Sequence, residues 1–358
     1  MLYNLIIEIG FIIAIAMLTS QVIIMWFARS ASKFEKRNDI DAVQASHLNP
    51  VARIGGIAVI TATVFGALPF LKILNSWPHY PLLLLSALPI FVIGLCEDLG
   101  YFSSPRVRLI AAALSGAFFV GLFGQWLPRT DIPGLDIVMQ WGPFGIGFSL
   151  FLAVGVCHAF NLIDGLNGLS GLTAVGAALS LAVISHEVGL AGHRNALFIL
   201  SGAIVGFLTF NFPFGKIFLG DAGAYVIGHM LIWMAISILC AAPNVTSFAM
   251  LLIFFLPVAD TLLAITRRVY LGKPILYPDR LHFHHLIMRS VEILVLGGQR
   301  RHIANPLATI VTLPFAFAPM LAGVLLALDR DKAAIACLFF IGIFLIAYKI
   351  GIWITKLL

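Results

Sequence analysis

Apolar residues run through this chain in long blocks separated by short polar stretches. A helix needs about 20 mostly apolar residues to cross a bilayer, and the blocks have that length. They predict eleven transmembrane helices, over residues 3–27, 54–74, 81–99, 107–127, 142–163, 168–186, 196–214, 220–241, 247–266, 306–328 and 333–355. The first block is longer than the apolar region of a signal peptide, lacks a basic leader and is followed by ten more, so it reads as a span. There is no internal repeat and no low-complexity tract. The predicted class is all-α, a polytopic transmembrane helical protein forming one integral membrane domain over residues 1–358.

Composition agrees with that pattern. Of 358 residues, 61% are hydrophobic and 11% are charged, against about 25% charged in a soluble domain, and the mean hydropathy is +1.03. These values exclude a soluble enzyme, a disordered chain and a nucleic-acid-binding domain. The 32 glycines suit close helix packing in lipid. Cys96, Cys157, Cys240 and Cys337 all lie in or at the edge of apolar blocks with no CxxC pairing, so they read as small buried hydrophobes.

The net charge of +6 carries topology rather than a nucleic-acid partner. One side of the bilayer receives seventeen basic residues: Arg29, Lys33, Lys36, Arg37, Arg53, Arg106, Arg108, Lys216, Arg267, Arg268, Lys273, Arg280, Arg289, Arg300, Arg301, Lys349 and Lys356. The other receives five: Lys72, Arg129, Arg194, Arg330 and Lys332. The positive-inside rule then predicts an outside N-terminus and a cytoplasmic C-terminus.

The acids follow the same side. Glu97, Asp98, Asp164, Asp221, Asp260 and Asp279 all fall at cytoplasmic helix ends or in the long cytoplasmic loop. Ionisable residues at the membrane are costly and usually functional. A transporter would place its key charges near the midplane on broken helices, so acids at headgroup depth favour interfacial chemistry. Adjacent Glu97 and Asp98 repel each other, which suits acid–base work or cation binding. In Asn161-Leu162-Ile163-Asp164-Gly165-Leu166-Asn167-Gly168, Asn161 and Asp164 share a helix face, although the same residue types also make ordinary turns. Asp221 follows Asn211 and Lys216 in a Gly-rich stretch; it reads either as a helix N-cap or as a Mg²⁺ ligand working with substrate phosphates. Asp260, followed by Arg267, reads as structural or catalytic, with a link between the two as an option. Asp279-Arg280-Leu281-His282-Phe283-His284-His285 is a dense polar cluster whose spacing fits no common zinc pattern and suits anion recognition. Arg53, before the paired Gly55-Gly56, stands at the start of the second span.

Taken in order, these motifs resemble the polyprenyl-phosphate N-acetylhexosamine-1-phosphate transferases. That family starts undecaprenyl-linked O-antigen, enterobacterial common antigen and teichoic acid synthesis. The resemblance runs from about His47 to His285. It implies attack of a lipid phosphate on the β-phosphate of a UDP-sugar, with Mg²⁺ (or Mn²⁺), releasing UMP. By motif position it implies a metal site at Asn161 and Asp221, and catalytic Glu97, Asp98 and Asp164. It further implies substrate contacts from Arg53, Asn167, Asn211, Lys216, Asp279, Arg280, His282, His284 and His285. The candidate site then spreads over loops 28–53, 97–108, 161–167, 211–221 and 267–305. Implied partners are a UDP-N-acetylhexosamine, with GlcNAc as the default sugar, undecaprenyl phosphate and the lipid bilayer. The implied location is the bacterial inner membrane with the site facing the cytoplasm, and a homodimer is compatible. Two positions depart from the family pattern. Glu97-Asp98 stands where the family has Asp-Asp, and Pro50-Val51-Ala52-Arg53 stands where it has Pro-Thr-Pro-Arg. A lipid-linked-sugar transporter or an inactive member are the alternatives.

Overall fold

The computed structural model describes residues 2–34, 51–65, 79–101, 104–272, 281–297 and 300–356. Among these the regular structure is helical throughout. The helices are α1 (Leu2–Phe34), α2 (Gly55–Phe65), α3 (Tyr80–Ser86), α4 (Leu88–Asp98), α5 (Pro105–Phe123), α6 (Pro133–Met139), α7 (Gly142–Leu162) and α8 (Leu169–Glu187). They continue as α9 (Ala191–Asn211), α10 (Gly220–Ala241), α11 (Ser247–Ile253), α12 (Phe255–Tyr270), α13 (Phe283–Leu294), α14 (Arg301–Leu325) and α15 (Arg330–Thr355). Ten of the predicted spans coincide with a helix or a bent helix pair, the span over 54–74 is described only as far as α2 with residues 66–74 outside the described residues, and the chain is a multi-pass membrane protein. Among the described residues, eight helices are long and apolar enough to cross a bilayer on their own. Helices are expected here because lipid offers backbone N–H and C=O groups no other partner.

Two predicted spans are broken. α3 and α4 meet at 47° and α11 and α12 at 81°. Pro89 lies in the first turn of α4, and Pro257 lies in the first turn of α12. A proline there removes the N–H that would continue the preceding helix, and its ring clashes with the carbonyl four residues back. Two short helices were not predicted. α6 lies in the connection after α5, and α13 begins within the histidine cluster, with His282 as its N-cap, in what reads from sequence as loop.

α10 is the axis of the fold: nearly every residue from Ala222 to Leu239 is buried. A helix apolar all round belongs in the middle. α2, α4 and α7 pack closely on it through glycines. A methyl built on Gly94 would stand 2.6 Å from the Ala222 Cα, and one on Gly228 would stand 2.8 Å from the Cys157 Cα. Gly56 of α2 meets the backbone of Gly223 in the same way. Buried polar pairs add interhelical bonds: His229 with Ser86 at 2.9 Å and His193 with Ser237 at 2.8 Å. At one end of the bundle, Asp131 accepts from the Thr246 hydroxyl and the Ser247 N–H, both at 2.6 Å, and pairs with Arg129 at 3.3 Å. The predicted polar motifs lie at the other end.

Candidate active site

The N-terminus of α10 organises the site. Gly220 turns the chain with φ +76°, a conformation that costs an L side chain about 1–2 kcal/mol. The first amides of α10 have no partner within the helix. Asp98, at the end of α4, supplies one from outside. Its two carboxylate oxygens accept from Asp221 N at 2.8 Å and Ala222 N at 2.9 Å. Three backbone bonds pin the Arg53 segment alongside: Phe218 N to Ala52 O, Gly55 N to Phe218 O and Gly56 N to Leu219 O. Arg53 is thereby held at the acidic cluster, where its charge acts on Asp98 and Asp164.

Asp221 lies in the first turn of α10, where the helix dipole favours an anion. Asn161, at the end of α7, donates its amide NH₂ to Asp221 Oδ1 at 2.7 Å. A carboxylate oxygen accepts only, so the NH₂ must be the group facing it. The Asn161 amide oxygen then accepts from the Tyr225 hydroxyl at 3.3 Å. Arg108 Nη1 donates to that hydroxyl at 3.4 Å and pairs with Glu97 at 3.0 Å. The Glu97 carboxyl lies beside Asp221. Asp164, just beyond α7, completes the group. Burial pushes its carboxyl well above the usual carboxylate range; Arg53 opposes that shift, while Asp221 and Asp98 add to it.

Four carboxylates from three chain segments therefore converge at one helix start. The donors are all oxygen, and among the described residues no three His, Cys, Asp or Glu side chains form a ready-made cage. This open, hard donor set fits Mg²⁺ or Mn²⁺, which keep waters and take one or two carboxylates alongside substrate phosphates. Asn161 fits less directly than its motif position implies, because both ends of its amide are already bonded. As arranged, it steadies Asp221 instead of offering a free oxygen.

The histidine cluster closes over the 163–168 turn. Buried Asp260 binds His282 Nδ1 at 3.1 Å and Phe283 N at 2.9 Å, with His284 Nδ1 at 3.6 Å. A methyl on Gly165 would stand 2.7 Å from His284 Nε2 and 3.3 Å from His285 Cε1. His284 and His285 thus rest on the backbone next to Asp164. Burial holds His284 below the ordinary imidazole range, with Asp260 opposing. The optional Asp260–Arg267 link gives way to other pairings. Asp260 serves the histidines, while Arg267 donates to the Leu281 carbonyl and the Tyr348 hydroxyl. Tyr348 also donates to Leu281 O at 3.1 Å, so α15 helps fix the residue preceding His282.

Asn167 and Asn211 hold backbone. Asn211 accepts from Gly168 N at 2.7 Å and donates to Ile217 O at 2.8 Å. Asn167 donates to Pro213 O at 2.9 Å, and its own N–H goes to Asn305 of α14 at 2.8 Å. Both side chains are buried. They lock the 163–168 turn to the 211–217 loop. Lys216 is exposed, with its ammonium 5.5 Å from the Phe214 ring. Asp279 and Arg280 lie outside the described residues. The structure brings together Arg53, Glu97, Asp98, Asn161, Asp164 and Asp221, and sets His284 and His285 beside them. Sequence reading missed Arg108 and Tyr225 as members of the site. Arg108 reads from the sequence only as a topology charge, and Tyr225, one helical turn after Asp221, is one more aromatic inside an apolar span, so no pattern singles it out.

Fold and site together define a multi-pass helical membrane protein with an acidic site at one end of the bundle, built on the start of its central helix. Comparison with known proteins gives the family. The glycosyl transferase family 4 description matches residues 80–239. The chain is 29% identical over 246 residues to the probable undecaprenyl-phosphate N-acetylglucosaminyl 1-phosphate transferase of Bacillus subtilis (strain 168), covering 68% of this chain and 67% of that one. It is 28% identical over 249 residues to the undecaprenyl-phosphate alpha-N-acetylglucosaminyl 1-phosphate transferase of Yersinia pestis, with the same coverage. It is 30% identical over 276 residues to the decaprenyl-phosphate N-acetylglucosaminephosphotransferase of Mycolicibacterium smegmatis, covering 68% and 66%. The chain belongs to glycosyl transferase family 4.

Proposed function

We propose that this protein transfers N-acetylhexosamine 1-phosphate, with N-acetylglucosamine 1-phosphate as the first candidate, from a UDP-sugar to undecaprenyl phosphate. The observation that carries the reading is the convergence of Glu97, Asp98, Asp164 and Asp221 at the start of α10. A lipid phosphate oxygen bonds to the sugar-bearing phosphorus, the bond from that phosphorus to the bridging oxygen breaks, and UMP leaves with that oxygen. A phosphate monoester has its second pKa near 6, so the lipid phosphate is mostly dianionic at neutral pH and needs no strong base. The protein's task is positioning and charge neutralisation. Asp221 would hold Mg²⁺, with Asn161 fixing its carboxylate, and the ion would neutralise the pyrophosphate charge. Asp98 holds the helix start that presents Asp221, and Asp164 lines the same face. Arg53, Arg108 and Lys216 supply positive charge to the phosphates, and His284 and His285 close the far side.

The seventeen basic residues on the site's side favour a cytoplasmic active site in the bacterial inner membrane, where nucleotide sugars are available. The role would be the first membrane step of a cell-envelope polysaccharide. The test is to incubate the purified protein with undecaprenyl phosphate, Mg²⁺ and a panel of UDP-N-acetylhexosamines and to measure UMP. Release that depends on both lipid and cation supports the reading. A lipid-linked-sugar transporter or an inactive relative would release none.

A further inference from the structure

We propose that Tyr225 is a positioning residue for the cation site: its hydroxyl fixes the Asn161 amide so that the amide NH₂ locks the Asp221 carboxylate. The inference rests on the proposed reading of Asp221 as the cation-holding group. Tyr225 lies one helical turn after Asp221 on α10, so both side chains rise on the same face. Its hydroxyl accepts from Arg108 Nη1 at 3.4 Å and donates to Asn161 Oδ1 at 3.3 Å. Asn161 then donates to Asp221 at 2.7 Å. The His158 ring meets the Tyr225 ring edge-on, with centroids 5.0 Å apart, and holds it laterally. His158 and Asn161 are three apart on α7, so one helix face carries both neighbours of Tyr225.

The direction of the chain follows from donor chemistry. Arg108 can only donate, so it leaves the tyrosine proton for Asn161. That proton commits the amide oxygen to Tyr225 and the NH₂ to Asp221. Without the hydroxyl, the amide is free to turn. Turned over, it would present its oxygen to the Asp221 oxygens and repel them. A tyrosine at this place thus acts on the cation through two intermediaries while touching neither cation nor substrate.

The test is a double-mutant cycle read in the Mn²⁺ dissociation constant, measured by electron paramagnetic resonance on the purified full chain without substrates. The variants are Tyr225→Phe, Asn161→Ala and the double substitution. A single hydrogen bond's net contribution corresponds to about 3- to 10-fold in affinity. The expected result is that Tyr225→Phe weakens Mn²⁺ by about that factor in the wild-type background and has no further effect in Asn161→Ala. The inference is overturned if Tyr225→Phe binds Mn²⁺ as tightly as wild type. It is equally overturned if it weakens binding by the same factor in both backgrounds, which marks a general structural effect. It is also overturned if the wild type releases UMP but binds no Mn²⁺ in the absence of substrate. Should Tyr225→Phe fail to accumulate, Tyr225→Met removes the hydroxyl while filling the space, with the same expectation. A wild type that releases no UMP refutes the proposed function alone, because the Mn²⁺ cycle is read without turnover.

Discussion

Asp98→Asn isolates the contact on which the site's geometry depends. The wild-type carboxylate accepts two N–H groups, from Asp221 and Ala222, at 2.8 and 2.9 Å. The amide that replaces it keeps one acceptor and turns an NH₂ toward the other N–H. One charge-assisted bond becomes neutral and the other becomes a donor–donor contact. A hydrogen bond to a charged group contributes about 1.5–3 kcal/mol against about 1 for a neutral one, and an anion at a helix start adds about 0.3–1 kcal/mol. The loss is then about 2–3 kcal/mol, and it falls on the helix start that presents Asp221. Expressed in turnover that is about 30- to 150-fold. Glu97 is anchored differently, through Arg108 at 3.0 Å, and both side chains are partly exposed. Glu97→Asp draws the carboxylate back by about 1.5 Å, a gap the long arginine arm can follow. Glu97→Gln keeps the shape but loses the ion pair. The expected order of UMP release is wild type ≈ Glu97→Asp > Glu97→Gln ≫ Asp98→Asn, measured at saturating Mg²⁺ alongside Tm. If Glu97→Gln is as inactive as Asp98→Asn, or Asp98→Asn keeps most of the activity, the assignment of the positioning role to Asp98 is wrong.

Gly220→Ala puts a methyl against the Arg53 carbonyl and 2.6 Å from Asp98 Oδ2, at φ +76°; it should lose activity by more than ~10-fold. Gly124→Ala, at φ +62° with open space around it, should cost only about 1 kcal/mol and keep full UMP release. Equal losses in the two variants would show that conformation, not crowding of the site, sets the effect. Asp164 has its folded-state pKa raised by burial, so its contribution favours folding at low pH and turns unfavourable as pH rises through that value. In EDTA, Asp164→Asn should therefore be more stable than wild type at pH 8, and the gap should shrink toward pH 4; a gap independent of pH contradicts this. For topology, single cysteines at Leu271 and at Leu190, in a chain whose four native cysteines are replaced, should be labelled from the cytoplasmic and the external side respectively. Labelling of Leu271→Cys from outside overturns the orientation.

The spans were legible because a bilayer imposes a length and a polarity that single residues rarely override. Where the prediction missed, a local rule won. Pro89 and Pro257 each broke an apolar block that composition alone reads as continuous. α13 was not predicted because His285 and Arg289 on its outer face, near exposed Leu294 and Val295, obscure an apolar face of Phe283, Leu286 and Val291. The acids of the site were legible because charge at a membrane is rare enough to stand out. The supporting residues were not. Asn167 and Asn211 carry the same residue type as Asn161, and only the fold shows that their amides go to Pro213, Gly168 and Ile217. Tyr225 meets Arg108 across 117 residues of sequence and Asn161 across 64, which no local spacing encodes.

Four carboxylates drawn into one site repel each other, and the structure shows what holds each in place. Asp98 has the two amides of α10, Asp221 has the Asn161 NH₂, and Glu97 has Arg108. Asp164 has the charge of Arg53 to oppose its burial, and still its carboxyl is pushed well up. Fully ionised, the four carboxylates would exceed the two guanidiniums by two negative charges, the charge of one divalent cation. On the proposed reading this deficit is the basis of cation affinity. Asp98 and Asp221 are pre-positioned by neutral donors instead of being neutralised by lysines, so on that reading their charge stays available to a cation and the phosphates it would accompany. An added lysine near Asp221 would satisfy the resting site better and compete with the cation for it. Around Asp98 and Asp221 the supporting groups are an asparagine, a tyrosine and backbone amides, which orient the carboxylates and, on the proposed reading, leave their charge in place for the cation.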